Sequence, residues 1–264
     1  MNHLIKIINK FNKDEVFGKT AELTFYMMMS FFPFVILMLT SFTSITGELE
    51  GIIRESLSTF PQQARDIILY LLNEIDKNPT VITLCSVLSA WSISCAVDSI
   101  SKSLNKMYNI KEKRRFLNVR FIGIIFAVLF LSVIVLTFAF LVYGNATVYA
   151  ISRIFPNFVL WGKMIRLILM YLILSVCFLL IYKVLPSEKL KFKDVYIGSF
   201  VASALWFVSS TVYSAYTSTF SGHSIIYGGF SGLIIIITWL YLSGFILLLG
   251  GEVNSILYNK KHSL

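Results

Sequence analysis

Long apolar windows poor in charge alternate along this chain with shorter basic segments. The charge-poor windows fall near 23–43, 80–100, 120–143, 164–185, 195–217 and 228–251. A helix needs about 20 residues to cross a hydrocarbon core, so each window is long enough for one crossing. The pattern predicts an all-α fold: a polytopic, six-transmembrane-helix bundle in a single integral membrane domain spanning residues 1–264. The clearest signal is the last pair of windows. From Val195 to Gly251 there is no Asp, Glu, Lys or Arg, and the run ends at Glu252. Such a run is too long for one span, so it reads as two spans joined by an uncharged turn, with an acid left at a membrane edge.

The connection between the first two windows has a different periodicity. Leu49, Ile52, Ile53 and Leu57 share one helical face, as do Ala64, Ile67, Ile68, Leu71, Leu72 and Ile75, with Pro61 between the sets. This spacing predicts two amphipathic helices on the outer face, which either cap the bundle or lie in the headgroup region. Leu4, Ile5, Ile8 and Phe11, interleaved with Lys6, Lys10 and Lys13, predict a basic interfacial helix on the inner leaflet. The same mixture leaves no signal-peptide core before Lys19, so the first span is expected to direct insertion itself.

Composition agrees with the window pattern. Of the 264 residues, 56% are hydrophobic and 14% charged, more apolar surface than a soluble domain of this size uses. Cys85, Cys95 and Cys177 all lie in apolar windows, an odd set that reads as packing residues and not as a disulfide framework. The formal charge of +9 is unevenly spread. Basic residues crowd before the first window, between the second and third (Lys102, Lys106, Lys111, Lys113, Arg114, Arg115 and Arg120), after the fourth, and at the C-terminus. The opposite side carries only Arg54, Arg65, Lys77, Arg153 and Lys163. The positive-inside rule then puts both termini in the cytoplasm. It also explains the Lys102–Arg120 segment as a topology signal and a site for anionic lipid at the inner leaflet, so no nucleic-acid partner is needed.

Charged groups in spans are costly and tend to face protein or water. Glu22, Asp98 and Glu252 lie near the inner ends of spans one, two and six. Glu22, Tyr26 and Ser30 share one face, with Pro33 beyond. Asp98, Ser94 and Trp91 share another, and Glu252, Tyr241 and Thr238 a third. Two readings stand: the three faces line an inner polar cavity, or each acid is a structural pair with nearby Lys, Arg or headgroup water. Span five stacks Ser199, Ser203, Ser210 and Ser214 with Gly198, Ala202 and Ala204; Gly228 and Gly232 open span six, and Gly250 and Gly251 precede its acid. Small and hydroxyl residues at such spacing let membrane helices approach closely, so these positions predict a packed hairpin of spans five and six.

Catalytic constellations are missing from the sequence. His3, His223 and His262 are far apart, with no spacing for a zinc nuclease or protease, no phosphate-binding loop and no nucleophile elbow. No metal, cofactor or enzyme activity is therefore expected. His223 reads as a solvated turn residue, and Asn145-Ala146-Thr147 as a chance match to a glycosylation acceptor.

Three blocks resemble one family. Ala21-Glu22-Leu23-Thr24-Phe25-Tyr26-Met27-Met28-Met29-Ser30-Phe31-Phe32-Pro33 is similar to the first-span signature of the YihY/BrkB family of bacterial inner-membrane proteins. Ser103-Leu104-Asn105-Lys106-Met107-Tyr108 with Lys113-Arg114-Arg115-Phe116 resembles its second inner loop. The most specific match is Tyr227-Gly228-Gly229-Phe230-Ser231-Gly232, then Trp239-Leu240-Tyr241 and Leu249-Gly250-Gly251-Glu252-Val253-Asn254, departing at Gly251 where alanine is expected. The resemblance covers essentially the whole chain. It implies six spans, a bacterial plasma-membrane location and an old ribonuclease BN label, which the absent catalytic residues do not support, and it supplies no substrate. The expectation is a transporter-like protein, ion-coupled or lipid-handling. The alternative is a non-transporting membrane scaffold or assembly factor. Oligomeric state is left open.

Overall fold

The computed structural model describes residues 10–45, 79–112, 114, 118–126, 129, 158–220 and 230–262. Among these residues every regular element is helical. Five long helices follow one another: α1 (Val16–Ile45), α2 (Pro79–Met107), α3 (Phe158–Val184), α4 (Phe192–Phe220) and α5 (Phe230–His262). Three of them carry stretches long and apolar enough to cross a membrane, Leu167–Val184, Phe192–Thr217 and Leu233–Lys261. The windows near 23–43 and 80–100 fall on α1 and α2. The window near 120–143 enters the described residues only as a helical stretch at 118–126. The amphipathic segments at 49–57 and 64–75, the Asn145 triplet, His223 and Gly228 lie outside the described residues.

The last span, read as closing at Gly251, belongs to a helix that continues to His262. Glu252 is therefore an interior helical residue, with no exposed surface, and not the end of the element. The physical reason lies in the next residues: Asn254 and Ser255 are also fully buried and find partners on neighbouring segments, so the helix gains by continuing.

Helix ends are set by local chemistry. At the start of α4, the Lys191 N–H donates to the Asp194 carboxylate at 3.2 Å, a reach-back from the first turn that satisfies a donor the helix cannot. At the end of α2, the Ile110 N–H donates to the Asn105 carbonyl at 2.8 Å and the Asn109 N–H to the Lys106 carbonyl at 3.1 Å, with Asn109 left-handed at φ 56°. That is the Schellman arrangement, and asparagine tolerates its left-handed position. Glu15, at φ 54°, turns the chain between the short helical stretch at 10–13 and α1.

The inward faces pack around Leu23, Leu104, Tyr182, Val195, Ala202 and Leu248. The outward faces are apolar too: Ile168, Leu172 and Val176 on α3, Val208 and Val212 on α4, and Ile234 and Ile237 on α5 are exposed. Broad apolar exposure of this kind suits a lipid surround and not water. Buried hydroxyls close onto their own helices, as where Thr20 donates to Val16, Ser175 to Tyr171, and Ser199 and Ser203 to Val195 and Ser199.

The packing of α4 against α5 is close. Trp206 and Trp239 meet edge to face at 5.5 Å, the Trp206 indole N–H donates to Ser243 at 3.3 Å, and the Tyr213 hydroxyl donates to the Ile235 carbonyl at 2.6 Å. Nearer the α4 start, a Cβ on Gly198 would collide with the Gly250 carbonyl and the Asn254 amide. One on Gly250 would collide with the Tyr182 hydroxyl and Ala202, and one on Gly251 would stand 2.5 Å from Leu104. Tyr182 itself is fully buried and donates to the Leu247 carbonyl at 2.7 Å, joining α3 to the same crossing. The side-chain surroundings of Gly232 lie outside the described residues.

These contacts predict opposite effects for two glycines. Gly198→Ala adds a methyl where backbone already stands and is expected to cost about 1–3 kcal/mol. Gly18→Ala adds one where nothing lies within 4 Å and should stabilise by about 0.5–1 kcal/mol through helix propensity. Thermal unfolding of the two variants in detergent checks both signs.

A candidate site where five helix ends converge

The starts of α1 and α4 and the ends of α2, α3 and α5 meet at one end of the bundle. Polar contacts tie them together beside buried Val16, Met107, Leu185 and Val195. Lys106 at the end of α2 pairs with Glu15 before α1 at 3.3 Å, and Lys261 on α5 pairs with Asp194 on α4 at 3.3 Å. Asn254 brackets the first turns of α4: its carbonyl oxygen accepts from the Gly198 N–H at 2.6 Å and its amide donates to the Val195 carbonyl at 2.9 Å.

A second clamp holds the segments after α2 and α3 together. Asn105 donates to Glu112 and to the Ser187 hydroxyl, both at 2.8 Å, and accepts from the Ser187 N–H at 2.8 Å. Arg114 donates to Glu112, to Ser101 at 2.7 Å and to the Leu185 carbonyl at 2.8 Å. Its guanidinium hydrogen bonds hold the Glu112 carboxyl at about 2, against the smaller opposing effect of burial.

At the centre of this end is Lys10. Its Nζ donates to Glu252 Oε1 at 2.6 Å and to Ser255 Oγ at 2.6 Å, and lies 3.4 Å from Asp14 Oδ2. The Glu252 side chain has 0% exposure and that of Asp14 6%. The stem of Lys10 thus carries its charge inward to a buried acid, where the sequence pattern alone assigned it to an interfacial face. Lys10, Asp14, Lys13 and Asn109 line a partly open cavity of about 290 Å³.

The sequence-selected acids do not share one set of partners. Glu22 accepts from Lys19 at 2.6 Å and from Ser99 at 3.1 Å, and Asp98 pairs with Lys102 at 2.8 Å. Packing of α1 on α2 brings these two near each other, since Ser99, next to Asp98 on α2, donates to Glu22. Glu252 has Lys10 instead, the same ammonium that reaches Ser255 and Asp14. Tyr26 is half-buried against the core, and buried Ser30 donates to Met27 on its own helix. Ser94 is buried and donates to the Arg120 carbonyl at 3.3 Å, whereas Trp91 is exposed beneath the Arg120 guanidinium at 4.8 Å. Thr238 is exposed and returns its hydroxyl to Ile234; Tyr241 is half-buried.

Basic residues of the inner segment have protein partners as well. Lys102, Lys106, Arg114 and Arg120 are engaged by Asp98, Glu15, Glu112 and Trp91 respectively. Lys111 is exposed, while Lys113 and Arg115 lie outside the described residues.

The chain matches a family model described as virulence factor BrkB over residues 7–263. It belongs to that family. YfkH of Bacillus subtilis (strain 168), which carries a ribonuclease-like name, is 29% identical over 99% of this chain and 97% of its own length. The UPF0761 membrane protein VV0203 of Vibrio vulnificus (strain YJ016) is 25% identical over 97% of this chain and 82% of its own. A UPF0761 membrane protein of Pseudoalteromonas atlantica (strain T6c / ATCC BAA-1087) is 22% identical over 95% and 84%. No solved structure matches. The BrkB family relation and the apolar helices make this a membrane protein. Among the described residues of this BrkB-family chain, no group of three His, Cys, Asp or Glu could hold a metal ion.

Two predictions follow from this end of the bundle. Lys10→Met leaves the Glu252 charge buried and unpaired, which costs about 3–5 kcal/mol; thermal unfolding should show that loss, and Lys10→Met combined with Glu252→Gln should recover part of it. The Glu112 carboxyl is held below its ordinary value of 4.5, so its contribution is complete above that pH and is lost as pH falls toward about 2. The stability gap between wild type and Glu112→Gln should therefore close over that interval.

Proposed function

We propose that this chain is an ion-coupled transporter of a bacterial plasma membrane, with six spans and both termini in the cytoplasm. The observation that carries this reading is the buried Lys10–Glu252 pair with Asp14 beside it, lying under a cavity of about 290 Å³ that Lys10 and Asp14 themselves line. A charge cluster withdrawn from solvent yet reachable through a cavity is what binding and release of a small ion require. Orientation is supported by basic residues at this same end: Lys10, Lys13, Lys19, Lys102, Lys106, Arg114, Lys191 and Lys261.

The lipid-handling version is less well supported, because Lys102, Lys106, Arg114 and Arg120 are engaged by protein groups. The scaffold reading makes the same ion pairs purely structural. The ribonuclease-like name of YfkH is not carried over to this chain.

Reconstitution into liposomes separates these readings. Proton or cation flux is expected in the wild type, with a drop of at least tenfold in Glu252→Gln and a smaller drop in Asp98→Asn. Normal flux in both variants would remove the acids from the mechanism. Absence of any flux, with a fixed partner co-purifying, would favour the scaffold. Reporter fusions after Lys77 and Arg115 should read outside and inside; the reverse pattern would overturn the orientation.

A further inference from the structure

Two carboxylate oxygens in this site have no hydrogen-bond donor among the described residues. Glu252 Oε1 is taken by Lys10, but Oε2 is buried without a partner, and so is Asp14 Oδ2. The Lys10 nitrogen stands 3.4 Å from that Asp14 oxygen, longer than an ordinary N–H···O bond of about 2.7–3.2 Å. The two carboxyl groups lie against the same Lys10 nitrogen, Glu252 Oε1 at 2.6 Å and Asp14 Oδ2 at 3.4 Å. Ionised carboxylates are acceptors only, so two of them on one ammonium cannot satisfy each other and repel.

Charge points the same way. Asp14 and Glu252 bring two negative charges, and Lys10 supplies one positive charge in contact with them. From the surrounding elements, Lys13 is exposed at the cavity, Lys106 is paired with Glu15, and Asp194 is paired with Lys261. Tyr108, whose buried hydroxyl also has no partner, stacks edge-on against Tyr258 at 5.4 Å. Among the described residues the cluster is therefore short by one positive charge and one donor.

We propose that Asp14 and Glu252 form an acid–carboxylate pair that binds one exchangeable proton, with the cavity beside Asp14 as its route to solvent. A single proton supplies both missing quantities: it turns one carboxyl into a donor to the other and leaves the trio neutral. Because Asp14 lines the cavity and Glu252 is wholly buried, the proton arrives at Asp14 from water and is shared inward. Lys10 keeps the Glu252 oxygen that the proton does not use. The inference deepens the ion-coupled reading: it rests on that reading for the use of the proton, not for its presence.

The test is infrared difference spectroscopy of the full chain in sodium-free lipid nanodiscs at neutral pH. The expected result is a protonated-carboxyl C=O band, of one carboxyl per chain, that shifts in D2O. It should be lost in both Asp14→Asn and Glu252→Gln and kept in Glu112→Gln. Loss in each single variant is what distinguishes a shared proton from an unrelated buried acid. A pH titration of the wild-type band needs no variant, and should show one proton released as pH rises. No such band at neutral pH, or a band indifferent to both substitutions, overturns the proposal. A band present without sodium and abolished by NaCl, but not by choline chloride, overturns it in favour of a sodium site. A band without proton flux in liposomes supports the pair and removes the coupling; flux without the band removes the pair and leaves the coupling.

Discussion

A carboxylate cut off from water has to be met by a cation, a proton or strong donors, and Glu252 imposes that requirement on everything around it. Its side chain has no exposed surface, and α5 carries it into a core of Leu104, Tyr182 and Leu248. The helical stretch at 10–13 must therefore bring Lys10 into place, and the left-handed turn at Glu15 lets that stretch leave the axis of α1 to do so. Small residues are a second condition. With larger side chains at Gly198, Gly250 and Gly251, α5 could not lie close enough to α4, α3 and α2 for the acid to be covered.

The apolar middle and the polar end divide the work. In the middle, hydroxyls are satisfied within their own helices and aromatic pairs such as Trp206–Trp239 join neighbouring ones. Such packing gives proximity with little directional preference. At the end, Asn254, Arg114 and Lys10 each bond to segments far away in sequence, which fixes how the helices are rotated and how deep each one sits. Register is set by these few directional bonds.

Much of this architecture is legible in hydropathy. The windows on α1 to α5 come from length and charge alone, because a hydrocarbon solvent leaves so few alternatives. Glu252 is legible for the same reason, as the charge that ends a long run without any. The extent of α5 is not, since past Glu252 the sequence turns polar and only the burial of Asn254 and Ser255 explains why the helix continues. Nor is Lys10: its spacing suits an interfacial face equally well, and its partner lies 242 positions away with no periodicity to connect them. Arg114 shows a further limit. The positive-inside rule counts its charge but says nothing of where the guanidinium goes, and here it is spent on Glu112, Ser101 and Leu185.

That separation of 242 positions also has a kinetic side. Lys10 and Asp14 are synthesised long before Glu252, so until α5 is made they have each other but not the acid that Lys10 grips. The contact closes only once α5 has been made. This end of the bundle is thus completed last, and a ribosome stalled before Glu252 would leave α5 unfinished and Lys10 without the acid it grips.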